Sequence, residues 1–217
     1  MTKDQLSYVR IFVPGTLSIF VYFTLRAKKF SLSQTIEAID FTVGSQAFIV
    51  AVIAGVVYRV FRVRDRLVLG RHWRIIEDNI KDRLISMIPS GEMNPGDAAL
   101  LRPGKRLINL FYSIVDKDES LKLRRDSVYE NGAYVSSVAD TIVFASVGCL
   151  VHLGFGLAGE GAHHYFWAVF WFAVLLISWL VLLPRVLATH RDLSNEQIDF
   201  VADHHRQEVQ SQLLRKG

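Results

Sequence analysis

The sequence predicts an all-α integral membrane protein with four transmembrane helices and a helical cytoplasmic insertion between spans 2 and 3. Three observations carry this. Hydrophobic residues make up 51% of the 217-residue chain, yet 21% are charged, and the apolar ones collect into four blocks rather than spreading at a surface-helix period. Residues 41–58 are free of formal charge over 18 positions, and Arg59, Arg62, Arg64, Arg66, Arg71 and Arg74 follow within 16, opposed only by Asp65. Such an arginine run beside an apolar block marks the cytoplasmic end of a span.

The first block, residues 11–25, has 15 uncharged residues between Arg10 and Arg26. At about 1.5 Å per residue it covers roughly 22 Å of a ~30 Å hydrocarbon layer. Snorkelling of both arginines extends it, and Tyr8 and Tyr22 suit the interfaces. No A-x-A-like cleavage site follows, so a retained span is expected rather than a signal peptide. Pro14-Gly15 loosens its start. The link to the second block holds Arg26, Lys28 and Lys29. These three lie on the outer side and are outweighed by the six arginines beside the second span. Within that span Ala47, Ala51 and Gly55 recur every four residues, a strip of small side chains suited to close helix contact.

Beyond Arg59, Leu69, Trp73, Ile76, Ile80, Leu84 and Met87 form a helical stripe, with Gly70 a weak point and Pro89 its end. Residues 89–104 are rich in Pro and Gly and read as a loop. Residues 105–115 are apolar enough for a buried helix or strand, and periodicity leaves the choice open. Residues 118–130 read as a helix stopped by Asn131-Gly132. The third block, residues 141–159, follows Asp140. A short link without Lys or Arg leads to the fourth, residues 165–184, aromatic at its outer end and basic at its inner end. In the tail, Ser194 and Gln197 form a capping-box pattern ahead of a cytoplasmic helix. The expected organisation is a hairpin of spans over 1–58, a cytoplasmic domain over 59–139, a second hairpin over 140–184 and a cytoplasmic helix over 185–217. Both termini lie inside, and a bacterial inner membrane is the expected location.

Few residues suggest chemistry. His152 sits near the middle of the third block, where an ionisable group serves either a pathway or an interhelical bond; Gly148 and Gly156, one turn to each side, point to a close crossing. Asp140, at the inner end of that block, is expected to pair with the arginines after the second span. The arginine cluster itself serves attachment to anionic headgroups, or a basic vestibule in an oligomer. Residues 116–120 resemble the start of a calcium loop, but Leu121 and Ser127 stand where Gly and an acid are needed. The pairs His163-His164 and His204-His205 lack one-face ligand spacing, and Arg185 to His190 fits an R-x4-H pattern by chance. The lone Cys149 excludes an intrachain disulfide. P-loop, G-x-S-x-G, H-E-x-x-H and G-x-G-x-x-G motifs are missing, so no enzyme is named and no catalytic residue, cofactor or metal is assigned.

The function expected on these grounds is an oligomeric, pore-forming or membrane-perturbing effector controlled by its cytoplasmic domain. In outline the chain is similar to membrane effectors of bacterial defence operons, a likeness of architecture that rests on no motif. The alternatives are a membrane-anchored subunit recruiting a cytoplasmic protein, and a membrane-embedded transporter or enzyme using His152 and Asp140. The expected partners are the anionic bilayer, further copies of the chain and a cytoplasmic protein; nucleic acid is not among them.

Overall fold

The computed structural model describes residues 3–27, 41–89 and 95–214, and of residues 3, 4, 7, 41–48, 95, 97 and 98 the backbone alone. The regular structure of the described residues is all helical, without strands. In chain order the helices are α1 (Lys3–Arg26), α2 (Phe41–Val60), α3 (Gly70–Ser86), α4 (Pro95–Leu101), α5 (Arg106–Lys117), α6 (Glu119–Leu157), α7 (His163–Ile177), α8 (Leu183–His204) and α9 (Arg206–Leu214). Single π-helical turns, Asp65–Leu69 and Ser178–Leu182, precede α3 and α8. Among the described residues three helical stretches are long and apolar enough to cross a membrane: Tyr8–Arg26, Glu119–Leu157 and His163–His204.

One open choice is resolved and several local expectations are corrected. The 105–115 segment is helical, and all of Leu107, Ile108, Phe111 and Ile114 on its apolar face are buried. Asn131-Gly132 does not stop a helix, because α6 runs on for 39 residues. Asn131, Gly132 and Ala133 are all buried. A helix supplies the backbone partners that water cannot supply there, which outweighs a glycine cost of about 1 kcal/mol. Ser194 and Gln197 do not cap, since both lie inside α8 and are buried. The break after the second apolar block falls at Phe61-Arg62 instead of passing smoothly into the next helix.

The chain divides into two compact units. One comprises Gly70–Asn131 and Ala188–Gly217, the other Thr2–Leu69 and Gly132–Leu187, so the tail belongs to the same unit as residues 70–131. The first has its own core. Ile76, Ile80 and Leu84 of α3 pack with Phe111 and Ile114 of α5, Ile198 and Val201 of α8, and Val209 and Leu213 of α9. Polar bonds fix the edges. Asp118 caps α6 by accepting from the Ser120 and Leu121 amides at 2.8 and 3.1 Å, and its other oxygen lies 3.0 Å from His205 Nε2. Gln210 Nε2 donates to the Met87 carbonyl at 2.6 Å, and Asn79 to Asn195 at 2.8 Å.

The second unit packs α1, α2, α7 and the later part of α6. Its large apolar side chains are well exposed along the outside; Val169 is 67% exposed, Leu150 68% and Ile53 57%. Exposed apolar surface on this scale fits contact with lipid tails. Inside, Trp167 and Trp171 are buried, and Phe20 meets Trp171 edge to face at 5.4 Å between ring centroids.

Candidate functional site

The polar groups of the second unit gather in two places. The first is where Arg10 of α1 meets the end of α2. Here Asp140 of α6, only 1% exposed, accepts from Arg64 Nη1 at 3.1 and 3.2 Å and from the Tyr58 hydroxyl at 3.0 Å. Arg64 also reaches Asp65 through Nε at 3.6 Å, and Asp65 in turn faces Arg62 at 3.4 Å. A buried carboxylate is tolerated only when paired and hydrogen-bonded, and this one is both. Tyr58 is aligned by its ring against Phe144, 5.4 Å away.

The path of the chain creates this arrangement. The α-helical ladder fails after the Phe61 amide, and Arg62 takes a left-handed φ of 50°. Arg62 is the only non-glycine with positive φ among the described residues, a conformation costing about 1–2 kcal/mol. The turn is closed by the Arg62 amide on the Arg59 carbonyl and the Arg66 amide on the Arg62 carbonyl, both at 3.0 Å. It carries the arginines past the end of α2. A partly open cavity of about 170 Å³ results, lined by Arg10, Tyr58, Arg59, Arg62, Val63, Arg64 and Asp65. The Nε of Arg10 is buried and makes no hydrogen bond.

The six arginines read from the sequence are thus not equivalent. Arg59, Arg62 and Arg64 line one cavity, Arg66 is exposed outside it, and Arg71 and Arg74 belong to the other unit. Arg10 is the residue that sequence reasoning placed only at an interface. Its signal was a cation preceding an apolar block, and nothing local says which span end it meets.

The second place is around His152, which is fully buried. Its Nδ1 lies 3.0 Å from His164 Nδ1 and its Nε2 lies 3.0 Å from Thr24 Oγ1. The Thr24 hydroxyl donates to the Val21 carbonyl at 2.7 Å, so its oxygen is left to accept from His152 Nε2–H and, at 3.4 Å, from Trp171 Nε1–H. Neutral His152 protonated on Nε2 then accepts from His164 through Nδ1. This proton assignment follows from the heavy-atom bonding alone. The chain ends on a backbone carbonyl, which cannot hand a proton on. The geometry therefore favours a polar joint among α1, α6 and α7 over a relay.

The small residues mark close approaches. A Cβ on Gly55 would run into the Ile11 carbonyl, and one on Gly15 into the Ala51 carbonyl. Ala51 is buried, while the side chain of Ala47 lies outside the described residues. On α6 a Cβ at Gly148 would sit 2.8 Å from the Trp171 ring, and one at Gly156 3.0 Å from the Tyr165 ring.

In the first unit His72 is buried beside Trp73 and His190, with ring centroids at 5.5 and 6.4 Å. Burial, with Arg191 as a second cause, lowers its pKa from the usual 6.5. Among the described residues no three His, Cys, Asp or Glu side chains converge as a metal site would require. Compared with protein-family models, with curated proteins and with solved structures, the chain matches none at a significant level.

Proposed function

We propose that this chain is a four-span membrane anchor that presents its helical unit in the cytoplasm as a platform for another protein. The observation that carries this reading is the contrast between the units. The unit of Gly70–Asn131 and Ala188–Gly217 has a 16-residue apolar core of its own, whereas the interior of the apolar helices in one copy is filled by Trp167, Trp171 and the His152–Thr24 joint. A filled interior suits an anchor. The fourth span in this reading is α2, whose Ile49, Val50, Ile53, Val56 and Val57 are all exposed and apolar, as contact with lipid requires. Four crossings return both termini to the arginine-rich side, in the cytoplasm of a bacterial cell.

A second reading, an oligomeric pore-forming effector, draws on Arg59 and Arg62, both exposed at the end of α2. Several copies would bring such arginines together as a basic vestibule, and the path would have to run between copies. Cross-linking of the full chain in native membranes through Lys105, Lys117 and Lys122 separates the two. Links to one other protein, with no dye leak from reconstituted vesicles, are expected for the platform. Links only between copies, with leak rising steeply with protein density, would replace it by the pore.

A further inference from the structure

We infer that the turn after α2, residues 60–67, is seated in the leaflet where α2 ends: Phe61 and Leu67 enter the edge of the acyl layer, and Arg62 and Arg66 lie over headgroup phosphates. This deepens the anchor reading and rests on α2 being a span. Large apolar side chains are bare here: Val60 is 70% exposed, Phe61 58% and Leu67 68%. Val60 shares a face with Ile53, Val56 and Val57 by its helical spacing, and all four are exposed. The apolar surface of α2 therefore runs on into the turn.

What the turn touches sets its depth. Had α2 run on as a straight helix, Asp65 would stand about 10 Å beyond Tyr58 along the axis. Instead Val63, Arg64 and Asp65 line one cavity with Tyr58 and with Arg10. Arg64 and the Tyr58 hydroxyl also bond the same carboxylate, that of Asp140. The left-handed Arg62 makes this return possible. The chain thus turns sideways at the level of Tyr58, where the charge-free run of α2 ends, and Phe61 and Leu67 flank the turn at that level.

The occupant of this surface is the leaflet and not a protein. The surface is continuous with the face that α2 turns to lipid, and its residues change from purely apolar to apolar mixed with arginine where a leaflet changes from acyl chains to phosphates. Arg62 and Arg66 are both exposed. Guanidiniums on long apolar stems reach from the acyl edge to the phosphate oxygens, while the neighbouring Phe61 and Leu67 stay below. Attachment read from six arginines in the sequence narrows to two arginines and two apolar anchors.

The test uses the full chain carrying Cys149→Ala, with a nitroxide on Ile53→Cys, Phe61→Cys or Leu67→Cys, in vesicles of phosphatidylcholine with and without phosphatidylglycerol. All three positions are exposed, so the label displaces no packed side chain. Spin relaxation reports contact with oxygen, which concentrates among acyl chains, and with a neutral nickel chelate, which stays in water. Oxygen contact is expected to exceed nickel contact at positions 61 and 67, and by a wider margin at 53. With the label at 67, Arg66→Gln is expected to raise nickel contact about fivefold where phosphatidylglycerol is present, and less than about twofold in phosphatidylcholine alone. Nickel contact exceeding oxygen contact at either 61 or 67 would overturn the inference. So would shielding from both reagents, the mark of a protein cover, or an Arg66→Gln effect equal in the two lipids. Failure at 61 or 67 with position 53 still in lipid strikes the seated turn alone; nickel contact at 53 as well strikes the α2 span and the inference with it.

Discussion

Replacing Asp140 by Ala tests whether the ion pair at the end of α2 holds the second unit together. The substitution removes a carboxylate that is 1% exposed and strands Arg64, whose side chain is 11% exposed. Breaking a buried pair from one side costs about 3–5 kcal/mol. Asp65 still faces Arg64 Nε at 3.6 Å and is itself 25% exposed, so part of the charge stays answered. The low end, about 3 kcal/mol, is therefore expected. Tyr58→Phe removes one hydrogen bond to a charged acceptor and should cost about 1.5 kcal/mol. The double substitution Arg64→Met with Asp140→Leu removes both charges and their desolvation, and should cost less than Arg64→Met alone or Asp140→Leu alone, the two single changes of the cycle. Reversible unfolding in mixed micelles by titration with dodecyl sulfate, followed by tryptophan fluorescence with Trp73 and Trp179 replaced by Phe throughout so that Trp167 and Trp171 report, gives all the free energies needed for the cycle. If the two single changes add to the double within about 0.5 kcal/mol, the pair is not coupled and the reasoning fails.

The same titration tests helix packing. Gly148→Ala puts a methyl 2.8 Å from the buried Trp171 ring and should destabilise by about 1–3 kcal/mol. Gly154→Ala, on the same helix with nothing within 4 Å of its Cβ, should be neutral or stabilise by up to about 1 kcal/mol. Equal shifts would remove the claim that α6 and α7 approach closely at Gly148. Acid should weaken the first unit in two windows. The pKa of His72 is lowered by burial, so as pH falls through 6.5 the unfolded chain takes up the proton first, and stability is lost down to the folded pKa. Asp118 is held below its usual range chiefly by its bond to His205, so its contribution is present above pH 3.8 and is lost as pH falls through the lower folded value. Denaturation midpoints at pH 7.5 and 5.5 should differ for the native chain and converge in His72→Gln; an unchanged difference would show that His72 is not the group.

The apolar blocks were legible because a charge-free run and a 3.6-residue period are properties of neighbours in the chain. So were the stripe through Ile76, Ile80 and Leu84 and the all-helical class. The ends of helices were less legible. Asn131-Gly132 and Ser194 carry local stop and start signals, and burial overrides both, because a backbone shielded from water keeps its hydrogen bonds whatever its residues prefer. Pairing across the chain could be read only coarsely, as Asp140 with some arginine after the second span. Six arginines stood within reach of Asp140 by sequence, and only the turn at Arg62 decides that Arg64 is the one that meets it. Likewise His152 could be marked as a polar residue at an apolar depth, but its partners lie 128 positions back at Thr24 and 12 on at His164. The sequence by itself determined which segments seek an apolar surrounding. The tertiary structure decided which of their few polar groups face one another, because a long-range contact depends on how helices cross, and no local periodicity encodes that angle.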